Sequence, residues 1–585
     1  MKQFDMKNIL VLIAAIMIST GFCAMAQNPV LPDSLRDCQS PLDMELFLAG
    51  NFAELRNNHF HAGLDFKTQG TVNHPVYSFA DGYVCRVGIN ALGYGLVVYV
   101  RHPQLGLTSV YAHLNSFCDR INEKMRPRQI ALEENNIQLS FEPNEIPVKK
   151  GEVIAKSGNT GSSGGPHVHF ELRDCNDAND EFYNPMPFFR DQISDRKAPR
   201  ASHIYIYPLG GLVCGQNARQ TVTVITAQSG QRTVNRNLTA WGRVGLGLKA
   251  FDYIENQANT YGVYRIQLYK DDQLIYHFVA DRFRFSERRY TNSLTDYRAW
   301  MTQRSMIQKS YIEPGNHLSM IDRTLGDGTF VIDEERPYRF RYVLTDAHGN
   351  QSEVFFQIKG KKAVLPKDPF QGLKTGTFTT RGILVRSGDA LSFDSLGCRI
   401  QMRAGNLYST ATLPFKRTVQ TDPNRPCVSD VYVIGSASIA LHGYFDLTLP
   451  LPKAYADTLT HPEQLYVANL DGGYLGGTYK NGAMHVRVRE FGRFAVRRDS
   501  SKPNGVVVSM TMNRAQISVS DRGSGIARYK VFIDEHFVPF DLNRYGKRIG
   551  QPKYYGIQKG KMHDVRIWVQ DNCGNETTVR TKKFF

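Results

Sequence analysis

No CxxC pair and no HExxH motif occurs among the 585 residues, and past residue 26 no apolar run approaches the roughly eighteen residues that cross a bilayer. The first absence excludes a cysteine zinc site and a thioredoxin-like centre, although the chain holds nine cysteines. The second removes the glutamate base that thermolysin-like metalloproteases carry between two histidine ligands. The third predicts no transmembrane segment once the N-terminal residues are removed. Zinc-finger spacing and an RNA-recognition signature are missing too, so the formal charge of +16, from 71 basic against 55 acidic residues, does not point to nucleic acid.

The N-terminus shows what the chain has instead. Lys2 and Lys7 precede an apolar run from Ile9 to Ile18, and Ala24-Met25-Ala26 is a small-x-small cleavage signal. Residues 1–26 are expected to be a secretory signal peptide and residues 27–45 a linker. Cys23 follows the bulky Phe22, which favours simple cleavage over lipid attachment. Export to the periplasm or cell envelope, surface-associated or released, is the expected location. In that compartment anionic envelope polymers are the polyanions that would meet the positive charge, whose plainer reading is solubility. Eight cysteines remain after cleavage, and their spacing does not reveal any pairing.

Three histidine motifs carry the chemistry. His59-Phe60-His61-Ala62-Gly63-Leu64-Asp65 comes first, Tyr111-Ala112-His113 second, and a glycine-rich run from Ser157 ending in Pro166-His167-Val168-His169-Phe170-Glu171 third. Residues two apart in a strand share a face, so His167 and His169 stand side by side behind a loop. Imidazole and carboxylate are zinc's ligands where thiolate is absent, and a catalytic zinc keeps three of them and one open position.

The ordered set HxGxD, YxH and GxTGxSxGPHxHFE resembles the lysostaphin-type (LytM-like) zinc metalloendopeptidases, which cut peptidoglycan cross-bridges. The resemblance covers residues 46–190 and implies one zinc ion held by His61, Asp65 and His169. It places His113 and His167 as the two catalytic histidines outside the ligand set. The implied activity is hydrolysis of peptide cross-links in bacterial peptidoglycan by a zinc-bound water, with His113 and His167 handling protons in place of the missing glutamate. Two alternatives are a non-catalytic or scaffolding activator of other wall hydrolases, and a zinc protease acting on proteins. The motif frame selects His61 over His59, which is left a structural or supporting role. Glu171 either orients a ligand or simply ends a strand. Asn159, Thr160 and Ser162 are candidates for holding the substrate backbone, with Gly158, Gly161, Gly164 and Gly165 letting it approach. His74 and His102 fall outside the motifs. A polar insert between Leu114 and Val148 departs from the compact pattern and bears on one wall of the groove.

The expected fold class is all-β: a lysostaphin-type β-sheet metallopeptidase domain followed by about three β-sandwich, immunoglobulin-like domains. Strands are predicted at Gly82–Gly88, Leu96–His102 and Leu107–His113, with a helix only in the insert, around Arg128 to Ile137. An internal repeat organises the remainder. Asp195 and Asp499 each stand four residues before a proline, Asp252 and Asp521 each end a strand-like run, and Asp346 and Asp571 each open a turn closed by Gly-Asn. The turn resembles the last hairpin of bacterial immunoglobulin-like domains. The expected units are 195–360, with insertions, then 361–498, which the residues do not name, and 499–585.

Overall fold

The computed structural model describes residues 37–175, 180–419, 426–542, 548–551 and 555–585. The expected signal peptide, Cys23 and most of the expected linker lie outside the described residues. Strands take 47% of the chain and helices 9%, as an all-β reading requires. Among the described residues no helix is long and apolar enough to cross a membrane.

The strands of the N-terminal domain run β1 (Leu48–Gly50), β2 (Leu55–Arg56), β3 (His59–Phe60), β4 (Leu64–Lys67), β5 (Pro75–Tyr77), β6 (Gly82–Ile89), β7 (Leu96–His102), β8 (Leu107–Leu114), β9 (Ser116–Phe117), β10 (Ile137–Ser140), β11 (Pro147–Val148), β12 (Val153–Lys156), β13 (His167–Asp174) and β14 (Glu181–Tyr183). Helix α1 (Asp119–Leu132) lies between β9 and β10. The main sheet has the order β1-β4-β13-β8-β7-β6-β10 and is antiparallel throughout, so β13 lies inside it, between β4 and β8. Its alternation is that of a strand covered on one face by core: Val168, Phe170 and Leu172 are fully buried among Phe66, Phe79 and Phe189. Each such side chain contributes about 1.5–3 kcal/mol by leaving water. β7 and β8 are apolar on both faces because a second small cluster, Val97, Tyr99, Val110 and Ala112, packs on the opposite side.

The helix differs from its expected position. It starts nine residues earlier than Arg128, at Asp119, and ends before Ile137, which begins β10. Pro127 sits inside it. The carbonyl of Glu123, left without an amide partner, is tolerated because Glu123 and Pro127 are both on the exposed face. Ile121, Met125 and Gln129, spaced at i, i+4 and i+8, are the buried stripe. The far end of the insert does not line the histidine motifs, although Asn115 at its start packs on Gly158: β10 is the sheet edge, with β7 and β6 between it and β8. It instead receives the last domain. Glu133 pairs with Lys530 at 2.8 Å, and Asn135 accepts from the Phe540 amide at 2.8 Å and donates to the Tyr529 carbonyl at 2.7 Å.

The next β unit is fused to the first. β14 pairs with Arg282–Arg284, Phe182 stacks on Phe283 at 5.2 Å, and Phe52 and Phe60 enter the second core. That unit is organised around the long strand Leu238–Phe251. Two five-stranded sheets and a three-stranded one enclose a third core between Ile383 and Val496. Two four-stranded sheets enclose a fourth, between Ala515 and Val569. Arg289 of the second unit donates to the Leu441 carbonyl of the third, and Asp499 N, opening the fourth, donates to Gln464 O of the third at 2.8 Å.

Candidate metal centre

Strand register brings the motif residues together. His169 on β13 is directly opposite Asp65 on β4 and Ala112 on β8. Directly opposed residues have Cβ atoms about 5 Å apart, close enough for two side chains to share one ligand. His61 arrives from the turn before β4, and the glycine of its motif has a steric cause: a Cβ on Gly63 would lie 2.0 Å from the Phe170 carbonyl oxygen. Only glycine lets this turn lie against β13.

Three atoms converge. His61 Nε2 is 3.0 Å from Asp65 Oδ1 and 2.9 Å from His169 Nδ1, which is itself 2.8 Å from Asp65 Oδ1. The far side of each ring is already committed: His61 Nδ1 is 2.7 Å from the Asn51 carbonyl, and His169 Nε2 is 2.8 Å from Glu171 Oε1. Carbonyl and carboxylate oxygens only accept, so those nitrogens carry the protons and the neutral rings turn lone pairs inward. In that tautomer two imidazole lone pairs and a carboxylate oxygen face one another. That donor set fits a divalent metal. A proton on His169 is the competing occupant: burial lowers the imidazole's pKa, but the hydrogen bonds to Asp65 and Glu171 outweigh it and raise it to about 9.

Glu171 therefore orients His169. Its carboxylate also accepts from Tyr94 Oη at 2.7 Å and Arg173 Nε at 2.8 Å. Burial pushes it up, but Arg173 and these hydrogen bonds hold it at about 2. Arg56 plays the matching part at Asp65, donating to Oδ2 at 2.8 Å and leaving Oδ1 turned inward.

The two remaining motif histidines face this cluster. His167 Nδ1 is tied to the Gly165 carbonyl at 2.8 Å, while its Nε2 is buried without a hydrogen-bond partner, 3.5 Å from Asp65 Oδ1. His113 Nδ1 donates to the Thr160 carbonyl at 2.9 Å, and its ring lies 4.7 Å from that of His167. Burial, reinforced by His169 and His167, lowers His113 to about 3, so it is neutral near pH 7. His113 has φ +60 inside a strand, a bulge that turns its ring out of the sheet toward β13.

The five expected site residues, His61, Asp65, His113, His167 and His169, thus stand in one cluster. His59 does not join it; exposed, it bonds the Asn57 carbonyl at 2.8 Å. His102 is a buried structural group between the Asp81 carbonyl and Ser109. The loop before His167 differs from expectation. Thr160 Oγ1 bonds the Leu114 carbonyl and the Leu96 amide, and Ser162 Oγ takes the Gly93 amide, so both hydroxyls hold neighbouring loops rather than facing the groove. Gly158 and Gly161 are small because Leu114–Asn115 and Gly93–Gly95 press on them; only Gly164 and Gly165 border open space. Asn51, Arg56, Tyr94 and Arg173 were not legible as supports. Of these only Arg173, two residues beyond Glu171 on the same strand face, follows from alternation.

The family model described as Peptidase family M23 matches residues 59–130 and 135–185, and that of a Zu5-like domain matches residues 384–499, the unit the residues alone do not name. An uncharacterized metalloprotease of Haemophilus influenzae is 38% identical over 113 residues, 19% of this chain and 18% of its own length. The DD-carboxypeptidase/endopeptidase Mpg of Neisseria meningitidis is 36% identical over 114 residues, 19% of this chain and 20% of its own. The chain therefore spans about a fifth of the length of these curated relatives. Among solved structures, the catalytic domain of lysostaphin from Staphylococcus simulans aligns at 21% identity, covering 25% of this chain and 92% of that one, with a TM-score of 0.18. The chain carries a Peptidase family M23 domain, the peptidase fold in which the five-residue cluster lies, and a Zu5-like domain further along.

Proposed function

We propose that the N-terminal domain, residues 46–190, is a zinc endopeptidase that hydrolyses the peptide cross-links of bacterial peptidoglycan. The observation that carries this reading is the inward set of three acceptor atoms, His61 Nε2, Asp65 Oδ1 and His169 Nδ1, with the His113 and His167 rings facing it. A zinc ion held by those atoms supplies Lewis acidity, polarising a peptide carbonyl and making water acidic enough to attack near neutral pH. His113 and His167 then handle the protons. Each has Nδ1 anchored to a backbone carbonyl, so each offers Nε2 to take a proton from the attacking water and return one to the leaving amine. The apolar floor of Val97, Tyr99, Val110 and Ala112 keeps bulk water from the same sheet face.

Relatives named peptidoglycan DD-endopeptidase and DD-carboxypeptidase/endopeptidase support a wall substrate, and the signal-like N-terminus supports work in the cell envelope. The test is digestion of isolated sacculi with mass analysis of the released peptides. Wild type is expected to release shortened cross-bridge peptides and His61→Ala none; equal digestion by both would overturn the reading. Cleavage appearing only when a partner hydrolase is added would favour an activator instead, and cleavage of protein but not sacculi a protein protease.

A further inference from the structure

We infer that two clusters of three aspartates, Asp195/Asp252/Asp346 and Asp499/Asp521/Asp571, are calcium sites that fasten β domains to the domains preceding them. In each, one carboxylate oxygen per residue lies within 4.8 Å of the others. The clusters are the internal repeat folded up: the aspartate that opens the unit, the one that ends a strand and the one in the final turn meet at one end of the domain.

Their scaffolds share three sets of hydrogen bonds. Lys197 N and Ser501 N donate to Asp195 Oδ1 and Asp499 Oδ1 at 2.9 and 3.0 Å. Asn350 and Asn575 donate through their side chains to the carbonyls of Asp195 and Asp499 at 3.2 and 3.1 Å. The same asparagines cap Asp346 and Asp571 through their backbone amides at 2.8 and 2.9 Å. What the scaffold leaves over points to a ligand. Asp252, only 5% exposed, keeps Oδ1 without a partner, as Asp195 does Oδ2. Both line a small pocket of about 10 Å³, close to the volume of one water-sized sphere. In the second cluster Asp521 Oδ1 and the buried Ser524 Oγ are the unpartnered atoms.

Nothing basic neutralises these carboxylates. Among the described residues no lysine or arginine pairs with any of the six, and the nearest ring, His348, lies 3.8 Å from Asp195 with its Nε2 spent on the Ile193 carbonyl at 2.8 Å. The repeat has Cys573 in that place, so the histidine is not what the clusters share. A purely oxygen donor set selects a hard cation. Magnesium demands an octahedron completed by several waters, whereas calcium accepts irregular oxygen cages, which suits so small a space.

Both clusters stand at joints. Asp195 follows Ile193, a core residue of the peptidase domain, and the loop after Asp252 grips β1 through Gln257 to the Leu48 amide at 2.7 Å and Tyr261 to the Leu48 carbonyl at 2.9 Å. Asp499 is tied to Gln464, and Asn572 beside Asp571 accepts from Tyr474 of the preceding unit at 3.2 Å.

The test is calorimetric titration of the full exported chain with calcium chloride, zinc held constant, with magnesium chloride in parallel. Two calcium ions per chain are expected, with Kd at or below about 1 mM, and a Tm rise of at least about 3 °C at saturation. Asp252→Asn should lose one ion and Asp521→Asn the other, each keeping wild-type circular dichroism. The inference is overturned if wild type takes up no calcium, if magnesium produces the same heats and Tm rise, or if both variants still bind two ions. The wild-type stoichiometry decides the matter even if a variant fails to fold.

Discussion

The histidine centre and the aspartate clusters each bring three ligand atoms within 4.8 Å, yet they are stabilised by opposite means. In the peptidase domain every ligand is held from behind by a side chain or carbonyl: Asn51 on His61, Arg56 on Asp65, Glu171 on His169. In the clusters the rear support is largely backbone amides and one asparagine, and among the described residues no arginine arrives to share the charge. Nitrogen donors with a net-balanced shell suit a metal used for chemistry, and crowded carboxylates suit one used as a fastener.

That contrast can be broken most severely at the histidine centre. His169→Ala is expected to reduce bound zinc from one per chain to near none and sacculus digestion to background, while calcium uptake at the clusters is unchanged; metal analysis and calorimetry on one sample decide both. His113→Ala should keep its zinc and lose about 10²–10⁴-fold in kcat, separating proton handling from metal holding. Glu171→Gln should weaken zinc binding by about 10–100-fold, measured by chelator competition, because its oxygen no longer fixes the His169 ring as an ionised acceptor.

Smaller effects sharpen the comparison through charge rather than metal. Burial holds His102 at about 4, below its unfolded value of ~6.5, so the unfolded chain binds the proton first. The stability present above pH ~6.5 should fall as pH drops toward 4, by as much as about 3 kcal/mol, and His102→Gln should flatten that slope in urea melts. Lys530→Ala removes only a half-exposed ion pair to Glu133 and should cost less than about 1 kcal/mol in the same assay.

The two kinds of site were unequally legible. The histidine motifs are short, and period-two alternation alone puts His167 and His169 on one face, so the cluster could be assembled from three brief strings. Its supports could not: Asn51 and Arg56 act through a turn and a hairpin whose placement depends on the fold, and the left-handed backbone of His113 leaves no mark in composition. The aspartates were visible as a repeat but not as a cluster, because Asp195, Asp252 and Asp346 are joined only when strands far apart in sequence pair. Thr160 and Ser162 misled because a polar loop residue beside a site serves the loop as readily as the substrate.

The docking of the last domain on the insert of the first gives the molecule a circular architecture. The first unit continues into the second by sheet, the second meets the third at Arg289, the third meets the fourth at Asp499, and the fourth returns to Glu133 and Asn135. A ring has no free end to peel from. Cutting one linker turns each remaining joint into an association between held neighbours at high local concentration, so a single nick should leave the pieces together. For this molecule, that is a form of endurance drawn from connectivity and not from the strength of any one contact.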